Sequence, residues 1–352
     1  MINIITTSAD QPYSANIFSE LGSFSSSKNG FNVGHKSDNL NIKFGASHFE
    51  TEGNNIRPAT GTDDDGYRNT GLNLKAAYKV SDEFTASLTS RHSYGMAEYD
   101  EMESEYDEMV SEFMHADFER DFTKVQGDFN SADGLWAHSL KLAQSDFENN
   151  QFNNAVAAGG TESDKENYQY TGTRFIENKN QQISMALEKE TQNFKQHVSG
   201  LDNKLLERNA DSVALEYRFD PSDAVTLAAS ARHEDNDSFE NSTTGRLEAI
   251  YRQFENLKWR AAWGTAVKNP TFTELYGNYE RFDANEYLIP EESKSVEFGV
   301  DAGLLDNRMQ LSATYFNSKL NNEIGTDYSS CDENWSNCSL FNNSQKKLQK
   351  RS

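Results

Sequence analysis

The side chains best suited to chemistry in this chain are carboxylates. Thr62-Asp63-Asp64-Asp65-Gly66-Tyr67 sets three Asp residues side by side ahead of a glycine. Hard cations such as Ca²⁺ draw several carboxylate oxygens from a flexible loop. This run is therefore the candidate metal loop, and calcium is the fitting ion. The competing reading is a solvated acidic loop, which also describes the run Asp100–Glu108. An EF-hand does not apply, because no Glu follows at the spacing that motif requires. Cys331 and Cys338 stand in the polar stretch CDENWSNC. Two cysteines this close, exposed to an oxidising compartment, form a loop disulfide; free surface thiols are the alternative, and the spacing alone makes no zinc site. His35, His48, His92, His115, His138, His197 and His233 are scattered singly, without H-E-x-x-H or G-x-S-x-G. The expectation is a protein that is not an enzyme and holds no organic cofactor.

These residues must be positioned by a scaffold, and composition limits which. The formal charge is −23 and the mean hydropathy −0.82, values that lean toward a solvated or disordered chain. Against disorder stand 22 Phe, 15 Tyr and 4 Trp. Acidity of this degree repels phosphates, so a nucleic-acid partner is excluded. No apolar window reaches the roughly 18 residues of a transmembrane helix. A β-barrel wall escapes that test, because its strands alternate lipid-facing and lumen-facing residues and keep a low mean hydropathy.

Alternation is what the chain shows. Leu257, Trp259, Ala261 and Trp263 share one parity, as do Val296, Phe298, Val300 and Ala302, and again Met309, Leu311, Ala313 and Tyr315. Leu304-Leu305-Asp306-Asn307 joins the last two as a hairpin, whereas Asn269–Pro290 is a long excursion. Short turns on one side and long loops on the other are the asymmetry of an outer-membrane barrel. Upstream, Leu40–Ala46, Leu72–Val80 and Phe84–Leu88 alternate clearly, while Ala15–Phe24 does so weakly. A turn is expected at Ser26-Ser27-Lys28-Asn29-Gly30. Further strands are expected near 119–130, 135–147, 166–176, 180–189, 194–201, 213–219, 225–231, 246–253 and 258–268. Tyr99–Phe118 reads as an extracellular loop, with a short helix as the alternative. Aromatics at strand ends read as interfacial girdle residues.

GTAVKNPTFTELYG followed by PEESKSVEFGV resembles the barrel signature of TonB-dependent outer-membrane receptors. The residues at matching positions are Gly264, Thr265, Lys268, Pro270, Glu274, Leu275, Tyr276, Gly277, Pro290, Glu291, Ser293, Glu297 and Gly299, while Val267 stands where an aromatic is commoner. Arg232, Asp235, Asn236 and Phe239 are similar to an R-x-x-D-N-x-x-F element of the same receptors.

The resemblance implies an all-β, antiparallel transmembrane β-barrel, incomplete at roughly fifteen of about 22 strands. It implies residues 1–10 as the end of a plug domain, since Ile2–Thr7 looks like that domain's last strand. Residues 11–340 would be partial barrel, and 341–352 an aberrant or truncated tail. Location in a Gram-negative outer membrane follows, with outer-membrane lipid, a TonB complex and a small ligand such as cobalamin or a siderophore as partners. The function implied is energy-coupled uptake by a receptor of which this chain is a fragment, not competent for transport alone. In the family's vitamin B12 receptors a D-x-D-G-aromatic loop binds calcium, which Asp63 and Asp65 match. A passive porin-like barrel and a soluble β-rich binding protein are the alternatives.

Overall fold

The computed structural model describes residues 7–55, 64–99, 114–153, 156–176, 179–198, 205–279, 282–306, 308–326, 338–339 and 341–344. The strands in chain order are β1 Tyr13–Leu21, β2 Ser27–Lys36, β3 Leu40–Thr51, β4 Tyr67–Lys79, β5 Phe84–Glu98, β6 Met114–Asn130 and β7 Trp136–Asn153. There follow β8 Val156–Ile176, β9 Gln181–Val198, β10 Leu205–Ser222, β11 Val225–Asn236, β12 Ser242–Phe254 and β13 Leu257–Lys268. A short helix α1 (Phe272–Tyr276) precedes β14 (Asn278–Tyr279), β15 (Phe282–Asp283), β16 (Glu291–Leu304), β17 (Met309–Asn321), β18 (Glu323–Thr326), β19 (Cys338–Ser339) and β20 (Phe341–Ser344).

β1 to β13, then β16 and β17, make a 15-stranded sheet whose hydrogen-bonded neighbours follow chain order. Neighbouring strands run antiparallel, and the order ends at β1 and at β17 without closing. The chain divides into two compact units, one of Met1–Phe129, Ser139–Tyr168 and Glu190–Glu207, the other of Asn130–His138, Gln169–Lys189 and Arg208–Ser352.

In the second unit register makes the alternation two-dimensional. Leu247 faces Trp263, which faces Val296; Ala261 faces Phe298, which faces Tyr315. Apolar side chains thus join into a band about eight residues tall, roughly 26 Å of strand, close to the ~25 Å apolar height of outer-membrane barrels. The band is open: Leu247, Trp263, Phe298 and Tyr315 are 53%, 42%, 50% and 59% exposed. By contrast, the buried apolar residues among those described are just Ala9, Phe194, Pro270, Leu275 and Leu288. A water-soluble domain buries its greasy face against a second layer. This sheet covers almost none of its hydrophobic area internally, so the medium outside must accept it.

Several expectations are corrected. The turn expected at Ser26–Gly30 lies earlier, where Gly22 N–H bonds Ser26 O at 2.9 Å and Phe24 and Ser25 take positive φ. Lys28, Asn29 and Gly30 are strand residues opposite Glu20, Ser19 and Phe18. Gly30 serves close approach: a Cβ there would stand 2.5 Å from the Phe18 ring and 2.6 Å from Ala46 O. The two strands expected at 180–189 and 194–201 are a single β9. Its polar middle stays extended through cross-strand ties, Glu188 to Arg232 at 2.7 Å, Lys195 to Glu162 at 3.8 Å, and Asn193 Nδ2 to Asp164 Oδ2 at 2.8 Å. β8 likewise begins at Val156, well before 166. In sequence, long spans separate β3 from β4, β5 from β6 and β13 from β16, as expected, whereas β7 and β8 are two residues apart. There β7 and β8, at 18 and 21 residues, run on as strands where a loop was expected.

Leu305 and Asp306 both sit at positive φ in the β16–β17 turn, the left-handed geometry that matches hairpin twist. The acidic run 100–108 lies outside the described residues.

Candidate functional site

The signature residues converge on one node at the outer end of β13. Thr271 caps α1: its hydroxyl accepts from Glu274 N–H, and the Glu274 carboxylate accepts from Thr271 N–H at 2.7 Å. This is the reciprocal capping box, which satisfies two donors that a helix start leaves bare. Lys268 reaches both Glu274 (3.7 Å) and Glu291 (3.1 Å), linking the end of β13 to α1 and to the start of β16. Glu291 also accepts from Ile324 N–H at 2.7 Å. Pro270 is fully buried, and Leu275 and Leu288 nearly so. Thr265 accepts from Gly245 N–H, and Gly299 leaves room for the Arg260 guanidinium, which a Cβ would approach to 2.7 Å. Each motif residue named here thus holds backbone or strand ends in place.

Arg208, which no sequence motif singled out, ties this node to the other signature element. It donates to Pro270 O at 2.8 Å and lies over the rings of Phe272 and Phe239, at 4.7 and 5.7 Å. Asn236 accepts from the N–H groups of Ser238 and Phe239, and so sets the turn that presents Phe239. Arg232 binds Glu188 at 2.7 Å and Glu234 at 3.3 Å. Two aromatics and a lone Arg were the available signal, but pairing across 62 residues is invisible without register. In the loop after β11, burial pushes the Asp237 carboxyl up. Hydrogen bonds from Asn209 and Ser238, with the charge of Arg208, outweigh that and hold it below the usual carboxylate value.

Of the candidate calcium ligands, Asp63 lies outside the described residues. Asp65 precedes β4, with its carbonyl O 1.9 Å from where a Gly53 Cβ would stand, so Gly53, at φ 74°, must be glycine. Neighbouring Asp64 accepts from Asn55 N–H at 3.0 Å. The donors are hard oxygens, which suits calcium. Cys331 also lies outside the described residues; Cys338 opens β19, paired in parallel with Phe282. Residues 1–6 and 345–352, parts of the expected plug end and tail, are outside too. Thr7 and Ala9 fold onto β3: Lys43 Nζ donates to Thr7 Oγ1 at 2.7 Å, and Asn41 bonds both Ala9 N and O. Phe341–Ser344 pairs antiparallel with β18.

Among the described residues one cluster brings His and carboxylates within ligand reach. His92 Nδ1 lies 2.9 Å from Asp121 and 3.8 Å from Glu119. It shares the face of Leu88 and Val125, beyond the apolar band, where a groove of about 530 Å³ is lined by His48, Thr70, Tyr94 and Glu119 among others. The hydrogen bond between His92 and Asp121 accounts for it as a cross-strand tie.

Long antiparallel strands with one greasy exposed face and one polar face are the wall of an outer-membrane β-barrel. The chain belongs to the TonB dependent receptor-like, beta-barrel family, whose model matches residues 9–349. Among named relatives, the vitamin B12 transporter BtuB of Photobacterium profundum is 27% identical over 247 residues, 68% of this chain and 37% of that protein. BtuB of Vibrio cholerae serotype O1 is 24% identical over 368 residues, 96% of this chain and 53% of that protein. The chain spans about half the length of the latter relative and less of the former. Of solved structures, the siderophore receptor PirA from Acinetobacter baumannii superposes with a TM-score of 0.79 at 16% identity, over 97% of this chain and 60% of that one. A ferric enterobactin receptor (PfeA) from Pseudomonas aeruginosa, in complex with enterobactin, gives 0.74 at 14% identity, with the same coverages. At such identities these structures speak for the fold. The relatives are transporters and receptors, in line with a family that does no enzymatic chemistry.

Proposed function

We propose that this chain forms barrel wall in an outer-membrane receptor for energy-coupled uptake of a scarce small ligand, cobalamin or an iron–siderophore complex. The observation that carries this reading is the open apolar band across a sheet of long strands, on a chain matched along nearly its whole length by the receptor barrel family. Relatives named for vitamin B12 and for siderophores supply the two ligand classes. A TonB complex supplies the energy, and outer-membrane lipid covers the band. The fifteen strands by themselves do not transport, because β1 and β17 end the sheet with unpaired edges, which lipid does not tolerate. Calcium held by Asp63 and Asp65 orders the loop before β4, and a Cys331–Cys338 disulfide closes the loop before β20.

Uptake of radiolabelled cyanocobalamin and of iron-55 siderophores, by cells whose receptor carries this barrel sequence, tests the reading. Uptake of one of them should require TonB and stop when the proton gradient is collapsed. Uptake that persists in a TonB-null strain would instead mark a passive pore. For the metal, calorimetric titration with calcium should give heat that vanishes in Asp63→Asn/Asp65→Asn; no heat at millimolar calcium rejects the site.

A further inference from the structure

Four planar side chains stack in a row at the short-turn end of β7 and β8. The Arg174 guanidinium lies 4.7 Å over the Trp136 ring. Trp136 stacks on His138 at 5.8 Å and 10°, and His138 on Tyr170 at 6.0 Å and 20°. His138 Nδ1 and the Tyr170 hydroxyl are hydrogen-bonded at 2.7 Å. Gly172 makes room for this contact: a Cβ there would stand 2.8 Å from the Tyr170 oxygen and 3.5 Å from His138 Nδ1. The strand pairing is fixed beside the row, where Phe175 N–H donates to Leu135 O at 2.9 Å. An aromatic residue at a membrane interface requires none of these ties, so the row has the order of a built site.

The row faces the medium. On the opposite face of β8 and β9 the hydroxyls of Thr173 and Ser184 meet at 3.0 Å. Alternation therefore gives Tyr170, Gly172 and Arg174 the face of Ile183, Met185 and Leu187, which are 39%, 39% and 45% exposed. Gln181, of that same parity, accepts from the Tyr217 hydroxyl at 2.8 Å, and Tyr217 lines up through Ala229 with Leu247 of the apolar band.

Charge at this rim does not balance. Half-buried Arg174 has no hydrogen-bond or ion-pair partner among the described residues. Asp133, in the adjacent turn, accepts from the Ser131 hydroxyl and from Leu135 N–H at 2.9 Å. These bonds, with the Arg174 charge, hold its carboxyl below the usual range. Asp220 of β10 is taken by Arg218 at 3.0 Å. Lys179 adds a second ammonium, 5.7 Å over the Phe175 ring. With a ring covering one side, the Arg174 guanidinium keeps its edge N–H groups for an oxyanion acceptor.

We propose that this row docks the phosphodiester of an anionic glycerophospholipid, with Arg174 forking onto the phosphate and Trp136 and Tyr170 packing beside the glycerol and upper acyl chain. The assignment rests on the reading above that lipid covers the band. Short turns face the periplasm in such barrels, so the lipid comes from that leaflet. Arg pairs with phosphate bidentately, and rings with one apolar and one polar end suit the headgroup depth. Two cations against one committed carboxylate favour a net-negative headgroup over a zwitterionic one, whose own ammonium offsets the phosphate.

The test uses the full chain purified in nonionic detergent, with retained lipid counted by native mass spectrometry. The probes are dioleoyl phosphatidylglycerol and dioleoyl phosphatidylcholine. The first should be held about tenfold more tightly. Arg174→Gln should bring it down to the level of the second, and Trp136→Leu, still apolar, should cost about threefold through the lost cation–π contact. Arg218→Gln, on the other face, should keep the margin. Circular dichroism and heat-modifiable gel migration establish that the variants fold. Equal retention of the two lipids overturns the proposal, as does an Arg174→Gln variant that keeps the margin or an Arg218→Gln variant that loses it. Displacement of the lipid by excess inorganic phosphate would give the row to a free ion and overturn it too. These outcomes leave the receptor reading intact; a chain that stays dispersed without detergent would sink that reading and the proposal together.

Discussion

Both units tie strands through ion pairs, as Lys165 with Glu190 and Lys195 with Glu162 do in the first, but they differ in where register sets like charges. In the second, cations meet carboxylates across strands or close along their own: Arg232 with Glu188, two strands away, and with Glu234, Lys258 and Arg260 with Asp301, and Lys268 with Glu274 of α1 and Glu291. In the first, register lines Lys43 up with Lys75 and, across Thr89, with Lys124. Cross-strand charge pairs contribute about 0.2–1 kcal/mol when opposite in sign and cost a similar amount when alike. The second unit's face therefore ties its strands through opposite charges, whereas on β3–β6 of the first unit register sets like charges side by side. Even the acidic groups differ in use, since the first unit places its excess on the far side of the sheet, above the apolar band.

The contrast is broken most forcibly at Arg232. Its partners Glu188 and Glu234 have side chains 16% and 23% exposed, and Arg232→Ala leaves both carboxylates without their cation. A cost of about 2–3 kcal/mol is expected, below the ~3–5 of a fully buried pair because water still reaches these groups. Urea unfolding from detergent, followed by tryptophan emission, measures it. Comparable in size is Phe298→Arg, which puts a charge into the second unit's exposed apolar band. Loss of about 2–4 kcal/mol in lipid vesicles is expected, the depth-dependent penalty for a barrel's outer face.

The first unit should respond in the other direction. Lys75→Glu places an acid directly opposite Lys43, turning a repulsive pair attractive, and is expected to stabilise by about 0.5–1 kcal/mol. If it destabilises, the lysine row is already neutralised within the chain and the contrast between units fails. Smallest is an acid-limb effect at Asp237, whose carboxyl the structure holds low. A lowered folded pKa adds stability that is present above the unfolded value of ~3.9 and is lost as pH falls through the folded one. Asp237→Asn should flatten that limb of the stability–pH curve below about pH 4. Mass spectrometry under non-reducing conditions completes the set, with the loop peptide lighter by its two thiol hydrogens if Cys331 and Cys338 are joined.

Much of the wall could be read directly from residue order. Alternation of Leu257, Trp259, Ala261 and Trp263 names a two-faced strand because side-chain direction in a strand has period two. The strands this rule found are those whose apolar residues cross the band, such as β4, β11 and β16. It failed where strands run on beyond it, in the polar halves of β8 and β9. There extended backbone is kept by neighbours' hydrogen bonds and by ties such as Asn193 to Asp164, which carry no hydropathy signal. Local turn chemistry also misled: Lys28-Asn29-Gly30 has turn composition, yet Gly30 serves the close approach of Phe18. The signature stretch was legible as a pattern but its use was not. Register alone brought Lys268 to Glu291, Arg208 to Pro270, and Lys43 opposite Lys75. Period is a property of adjacent residues and can be read along the chain. Charge pairing and charge crowding are properties of residues tens of positions apart, and they exist only once the strands have been laid side by side.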